Sequence, residues 1–151
     1  MPVSDAELQA ALGVATVHRR PWPYHSSLPM EELDLDGVRL LLKDLAGSGD
    51  LLRPALAPQP HREIAVYRDV LQPLGLDGPA RVAAADETSA GWLVLELIEG
   101  TPLWQIGELE TWQEAARWLA RLHALDVPHN ECLVRYDAAQ LRSRLELTPE
   151  A

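Results

Sequence analysis

The sequence feature that most constrains the fold is an Asp36-Gly37 pair between two short segments with strand character. Asp-Gly is typical of the two-residue turn of a β-hairpin, so residues 30–35 and 38–44 are predicted to pair as antiparallel strands. Strict alternation in the second strand places Arg39, Leu41 and Lys43 on one face and apolar residues on the other. Both faces are largely apolar, which predicts that this strand is covered on both sides.

Lys43 stands at the end of this strand and is the only lysine in the chain. An ammonium group at the edge of an apolar environment needs an anionic partner. The alternative is a lysine at a strand end that is simply solvated, in a chain whose other basic residues are arginine and histidine.

Glu63 is the candidate partner. Pro60 is well suited to the first position of a helix, and the apolar spacing predicts a helix over residues 60–74. Glu63 falls inside the apolar stripe of this helix, aligned with Tyr67 and Val70. Such an acid is costly unless it is paired, and Lys43 offers a partner. The alternative is that Glu63 only interacts favourably with the helix dipole.

The remaining pattern predicts an α+β protein with an antiparallel sheet of about five strands. A first helix is expected over residues 4–12, capped by Ser4 and Glu7 and ended by Gly13. Further strands are expected over residues 14–20, 80–85 and 91–98. Thr101 and Pro102 predict the start of a new helical segment, followed by a long helix over residues 108–125 and one more over residues 137–147.

Composition excludes some functions. A net charge of −10 over 151 residues argues against a nucleic-acid partner, which requires a basic surface. The N-terminus lacks a signal-peptide pattern and no apolar run reaches membrane-spanning length, so no membrane partner is expected. A single cysteine, Cys132, suits a reducing compartment, and we expect a cytoplasmic protein.

In this order, five stretches of the sequence resemble the aminoglycoside phosphotransferase and choline kinase family, which has a protein-kinase-like fold. These stretches are YHSSLPMEELDLDG, VRLLLKDL, HREIAVYRDVLQPLG, GWLVLELIEGTPLWQIGELE and ARWLARLHALD. They cover roughly residues 20–126. The resemblance implies a nucleotide-binding N-terminal lobe over residues 1–100. The connector and the first helices of an incomplete helical lobe would follow over residues 101–151.

The resemblance also implies roles for individual residues, with ATP as cofactor and a small molecule as acceptor. Lys43 would hold the α- and β-phosphates, and Glu63 would hold Lys43 in place. Leu41 would lie over the adenine ring, and Glu96 and Ile98 would read the adenine edge through their backbone. Ser26 and Ser27 would cover the phosphates.

The sequence departs from the family at its C-terminal end, about fifty residues past the expected hinge, where the catalytic loop has not yet been reached. The His-Gly-Asp catalytic motif, its downstream asparagine and the later magnesium-binding aspartate are absent. We therefore expect the nucleotide-binding half of a kinase, with Mg²⁺ bound only when a C-terminal lobe is present. The alternative is a non-catalytic, kinase-like binding or regulatory module.

The long helix at residues 108–125 is apolar over more than half of its circumference, which is typical of a helix with partners on several sides. The short tail that follows is not expected to cover it. This pattern predicts that the chain either self-associates through residues 108–125 or is marginally stable.

Overall fold

The computed structural model describes residues 3–24, 28–45, 60–75, 79–88 and 91–125, together with residues 138 and 142. This part of the chain is an α+β fold with a five-stranded antiparallel sheet and three helices. The strands are β1 (His18–Pro21), β2 (Met30–Leu35), β3 (Val38–Asp44), β4 (Val82–Asp86) and β5 (Trp92–Glu96). The helices are α1 (Asp5–Leu12), α2 (Pro60–Ala65, continued as a π-helix over Val66–Leu71) and α3 (Leu109–His123).

The sheet has the strand order β1-β2-β3-β5-β4, and every neighbouring pair is antiparallel. The predicted hairpin forms between β2 and β3, with Leu35 opposite Val38. Asp36 and Gly37 both have positive φ, at 55° and 94°, as the two central residues of a type I′ turn require. This turn fixes the register of the two strands, and it places Lys43 opposite Met30.

One face of the sheet packs against α1. Leu8 of α1 lies in a buried cluster with Leu33, Leu42, Trp92 and Val94. The helix begins with the predicted capping box: the Glu7 amide donates to Ser4 Oγ (3.3 Å), and the Ser4 amide donates to Glu7 Oε2 (2.8 Å). It ends at Gly13, which has φ of 68°.

The opposite face, which carries Lys43, packs against α2. Ile64 of this helix lies in a second buried cluster with Leu28, Leu45, Leu93 and Leu95. The prediction that the Lys43 strand, β3, is covered on both sides is therefore confirmed.

Several predicted boundaries differ from the structure. The first strand occupies His18–Pro21 rather than residues 14–20, and the strand expected at residues 80–85 is Val82–Asp86. The strand expected over 91–98 ends at Glu96, and the predicted start of a helix at Thr101 and Pro102 is a single 3₁₀ turn at Leu103–Gln105. The helix predicted at residues 137–147 lies outside the described residues, apart from positions 138 and 142.

Helix α3 has no buried residue. Leu109, Trp112 and Leu119 are among the large apolar side chains that are exposed. The predicted long helix therefore forms, and a large part of its apolar surface is accessible. Within the described residues, no helix is long and apolar enough to cross a membrane.

Candidate functional site

The predicted contact between Lys43 and Glu63 is present. Lys43 Nζ lies 2.6 Å from Glu63 Oε1, and the side chains are 22% and 31% exposed. Strand β3 presents the ammonium on the α2 side of the sheet, and the first turn of α2 presents the carboxylate towards it. The pair joins β3 to α2 through two residues that are 20 positions apart in sequence. Glu63 is thus an ion-pair partner of Lys43, and not only a residue that favours the helix dipole.

Tyr67 lies one turn after Glu63 in the same helix and packs against the second buried cluster. Burial raises the pKa of the Tyr67 hydroxyl, and the nearby charge of Glu63 adds to this effect. The ion pair is therefore flanked by a neutral phenol and apolar side chains, so it is partly shielded from water.

A second set of charges lies on the same face of the sheet, towards the other end of β3. Glu32 accepts a hydrogen bond from Arg20 Nη2 (2.5 Å) and another from Arg39 Nε. Arg39 Nη1 also donates to Glu99 Oε1 (2.6 Å). We call these four residues the arginine–glutamate network. It links β1, β2 and β3 to the segment that follows β5.

Glu32 is the central residue of this network. Its side chain is only 4% exposed, and it is the one buried charged residue in the described part of the chain. The hydrogen bond from Arg39, followed by that from Arg20, lowers the pKa of Glu32 from 4.5 to about 2. The carboxylate therefore stays ionised at neutral pH, and its charge is balanced by two guanidinium groups.

A cavity of about 520 Å³ opens next to this network. Its walls are the segment 97–102, which we call the connecting segment, two aromatic residues that precede β2, and Arg39. The aromatic residues are Trp22 and Tyr24, whose rings meet edge to face with centroids 5.9 Å apart. An aromatic wall beside a fixed guanidinium group is suited to a planar ligand that carries a hydrogen-bond acceptor or a negative charge.

The predicted site residues are distributed as follows. Ile98 is exposed and lines the cavity. Glu96 ends β5, and its amide donates to the Arg81 carbonyl (2.8 Å). Leu41 is partly buried on the same strand face as Arg39 and Lys43, opposite Glu32 on one side and Leu95 on the other. Ser26 and Ser27 lie outside the described residues.

Sequence reasoning missed Glu32, Arg20 and Arg39 as a connected group. The available signal was the register of the hairpin: Glu32 and Arg39 lie on the same face of adjacent strands, two positions apart along the sheet. Glu31 and Glu32 are adjacent in sequence, however, and only the observed pairing of β1 with β2 shows that Glu32 is the one opposite Arg20.

Within the described residues, no group of three or more histidine, cysteine, aspartate or glutamate side chains is arranged to hold a metal ion. Comparisons with protein-family models, with curated proteins and with solved structures found no match to this chain.

Proposed function

We propose that this chain is the nucleotide-binding half of an ATP-dependent small-molecule phosphotransferase with a protein-kinase-like fold. The observation that carries the proposal is the ion pair between Lys43 and Glu63. A carboxylate that fixes a strand lysine on a sheet face holds its ammonium group where phosphate oxygens can be bound. Lys43 would bind the α- and β-phosphates, and Glu63 would position Lys43.

The position of the cavity supports the proposal. Arg39, which lines the cavity, and Lys43 are four residues apart on the same strand face, a separation of about 13 Å along an extended strand. This is comparable to the length of a nucleoside monophosphate. A base in the cavity, beside Ile98 and the connecting segment, would therefore bring its phosphates towards Lys43, with Leu41 between them.

The proposal assigns the nucleotide to residues 1–100 and treats residues 101–151 as the connector and the first helices of a second lobe. The sequence contains no His-Gly-Asp motif, so the catalytic base, the magnesium ligands and the acceptor site would belong to a C-terminal lobe. Lys43 and Glu63 contribute nucleotide binding and orientation, and no proton transfer is assigned to them.

A second candidate function is a kinase-like binding or regulatory module without catalysis. The observation that favours it is Glu32, a buried ionised carboxylate on the sheet face against which an adenine ring would pack. An aromatic base generally prefers an apolar surface, whereas here Leu41 adjoins a charged network. A reading frame that continues past residue 151 into a His-Gly-Asp segment would favour the phosphotransferase over this alternative.

Calorimetric titration with ATP tests the proposal. We expect weak binding, because only one phosphate-binding cation is assigned, and we expect Lys43→Ala to reduce the affinity by roughly tenfold or more. Arg68→Ala is the control, because it removes an exposed cation that pairs with Asp69 and Glu87. Equal affinity of the parent and Lys43→Ala would refute the role assigned to Lys43.

A further inference from the structure

Arg39 is held in the cavity by two carboxylates of very different character. Its Nε is fixed by Glu32, which is buried and has its pKa lowered to about 2. Its Nη1 is paired with Glu99, whose side chain is 76% exposed. The first contact orients the guanidinium plane, and the second contact is with a carboxylate that lines the same cavity as Arg39.

The geometry points to a binding site for an aromatic carboxylate in this cavity. We propose that the acid group of such a ligand takes the place of Glu99 on Arg39, while its ring packs against Trp22 and Tyr24. The ligand class follows from two features of the cavity lining. The planar guanidinium of Arg39 can bind a carboxylate, and the side chains of Trp22 and Tyr24 can pack against an aromatic ring.

The exchange is energetically feasible because the two partners of Arg39 differ in exposure. An exposed ion pair such as that with Glu99 contributes little, since water solvates both charges well when it opens. Glu32 does not need to move, so the guanidinium group remains oriented during the exchange. With Glu99 displaced, Arg39 Nη1 can donate to the acid group of the ligand, while Arg39 Nε stays bonded to Glu32.

This inference goes beyond the proposed function and does not rest on it. The base of a nucleotide would occupy the same cavity, while its phosphates would lie near Lys43. If both proposals hold, an aromatic carboxylate competes with ATP without contacting Lys43, and it would act as a competitive inhibitor of nucleotide binding.

The experiment is a calorimetric titration of the full chain with 2-naphthoate and, as an uncharged match, with 2-naphthamide. We expect 2-naphthoate to bind more tightly than 2-naphthamide. Arg39→Gln should weaken 2-naphthoate binding roughly tenfold to a hundredfold, because it removes a charge-assisted hydrogen bond. Arg68→Gln, which removes an exposed arginine outside the cavity lining, is the matched control and should bind like the parent.

Glu99→Gln provides a test that does not depend on the folding of Arg39→Gln. It leaves the contacts of Glu32 intact and removes the competing carboxylate, so it should tighten 2-naphthoate binding by up to about fivefold. Equal affinities for 2-naphthoate and 2-naphthamide, no binding of either, or no tightening in Glu99→Gln would overturn the inference. These outcomes are independent of whether ATP binds through Lys43, so failure of one proposal is distinguishable from failure of the other.

Discussion

Breaking the pair between Lys43 and Glu63 is the most direct test of how the sheet and α2 are joined. The perturbation is a double-mutant cycle of Lys43→Met and Glu63→Gln, which removes each charge singly and then both together. The pair has one short contact, at 2.6 Å, and its side chains are 22% and 31% exposed. It therefore lies between a solvated surface pair, which contributes about 0–1 kcal/mol, and a fully buried pair, whose disruption costs about 3–5 kcal/mol.

From this intermediate exposure we expect each single substitution to destabilise the fold by about 1–2 kcal/mol. The double variant should be less destabilised than the sum of the two, because neither charge is left without its partner. The coupling free energy should be about 1 kcal/mol. For a chain of this size, 1 kcal/mol corresponds to a shift of roughly 4 °C in Tm.

Urea unfolding followed by circular dichroism gives the four free energies of unfolding that the cycle needs. The control cycle is Arg68→Met with Glu87→Gln, an ion pair between α2 and the residue after β4 whose side chains are 52% and 45% exposed. Its coupling should be smaller and should fall with added salt. A coupling between Lys43 and Glu63 no larger than that of the control would refute the argument that this pair is shielded and holds Lys43 in place.

Two further predictions follow from the network and from α3. Because the folded-state pKa of Glu32 is lowered from 4.5 to about 2, its contribution to stability should be fully present above its ordinary pKa of 4.5 and lost as pH falls towards 2. Between pH 7 and pH 2, the free energy of unfolding measured with urea should therefore fall more steeply for the parent than for Glu32→Gln. Separately, the exposed apolar surface of α3 should make the chain self-associate. Trp112 and Leu119 are 43% and 46% exposed, and sedimentation should show a shift towards monomer when both are replaced by glutamate.

Each of these two predictions has a matched control variant. Glu99→Gln removes an exposed carboxylate from the network, and its free energy of unfolding should fall with pH as steeply as that of the parent. If Glu32→Gln and Glu99→Gln show the same pH dependence of stability, a special role for Glu32 is contradicted. Gln113→Glu adds a charge to the polar side of α3 and should leave self-association unchanged. A parent chain that is monomeric across the accessible concentration range would contradict the prediction for α3.

The sequence by itself determined the elements whose signals are local. The Asp36-Gly37 turn needs two residues with positive φ, and the alternation around it set the faces of β3. Ser4 and Glu7 marked the start of α1 because a capping box involves only neighbouring residues. The pairing of Lys43 with Glu63 was also predictable, since each residue is out of place on its own apolar surface.

Only the tertiary structure showed the arginine–glutamate network and the cavity beside it. The sequence predicts that β3 lies beside β2, but it does not show that β1 lies on the other side. It therefore could not show that Arg20 joins Glu32 and Arg39, or that this group connects to Glu99. Nor could it show that Trp22 and Tyr24 meet the connecting segment around a cavity. These contacts depend on the order and register of distant strands, which is set by how the whole sheet packs between α1 and α2, and no local pattern encodes that arrangement.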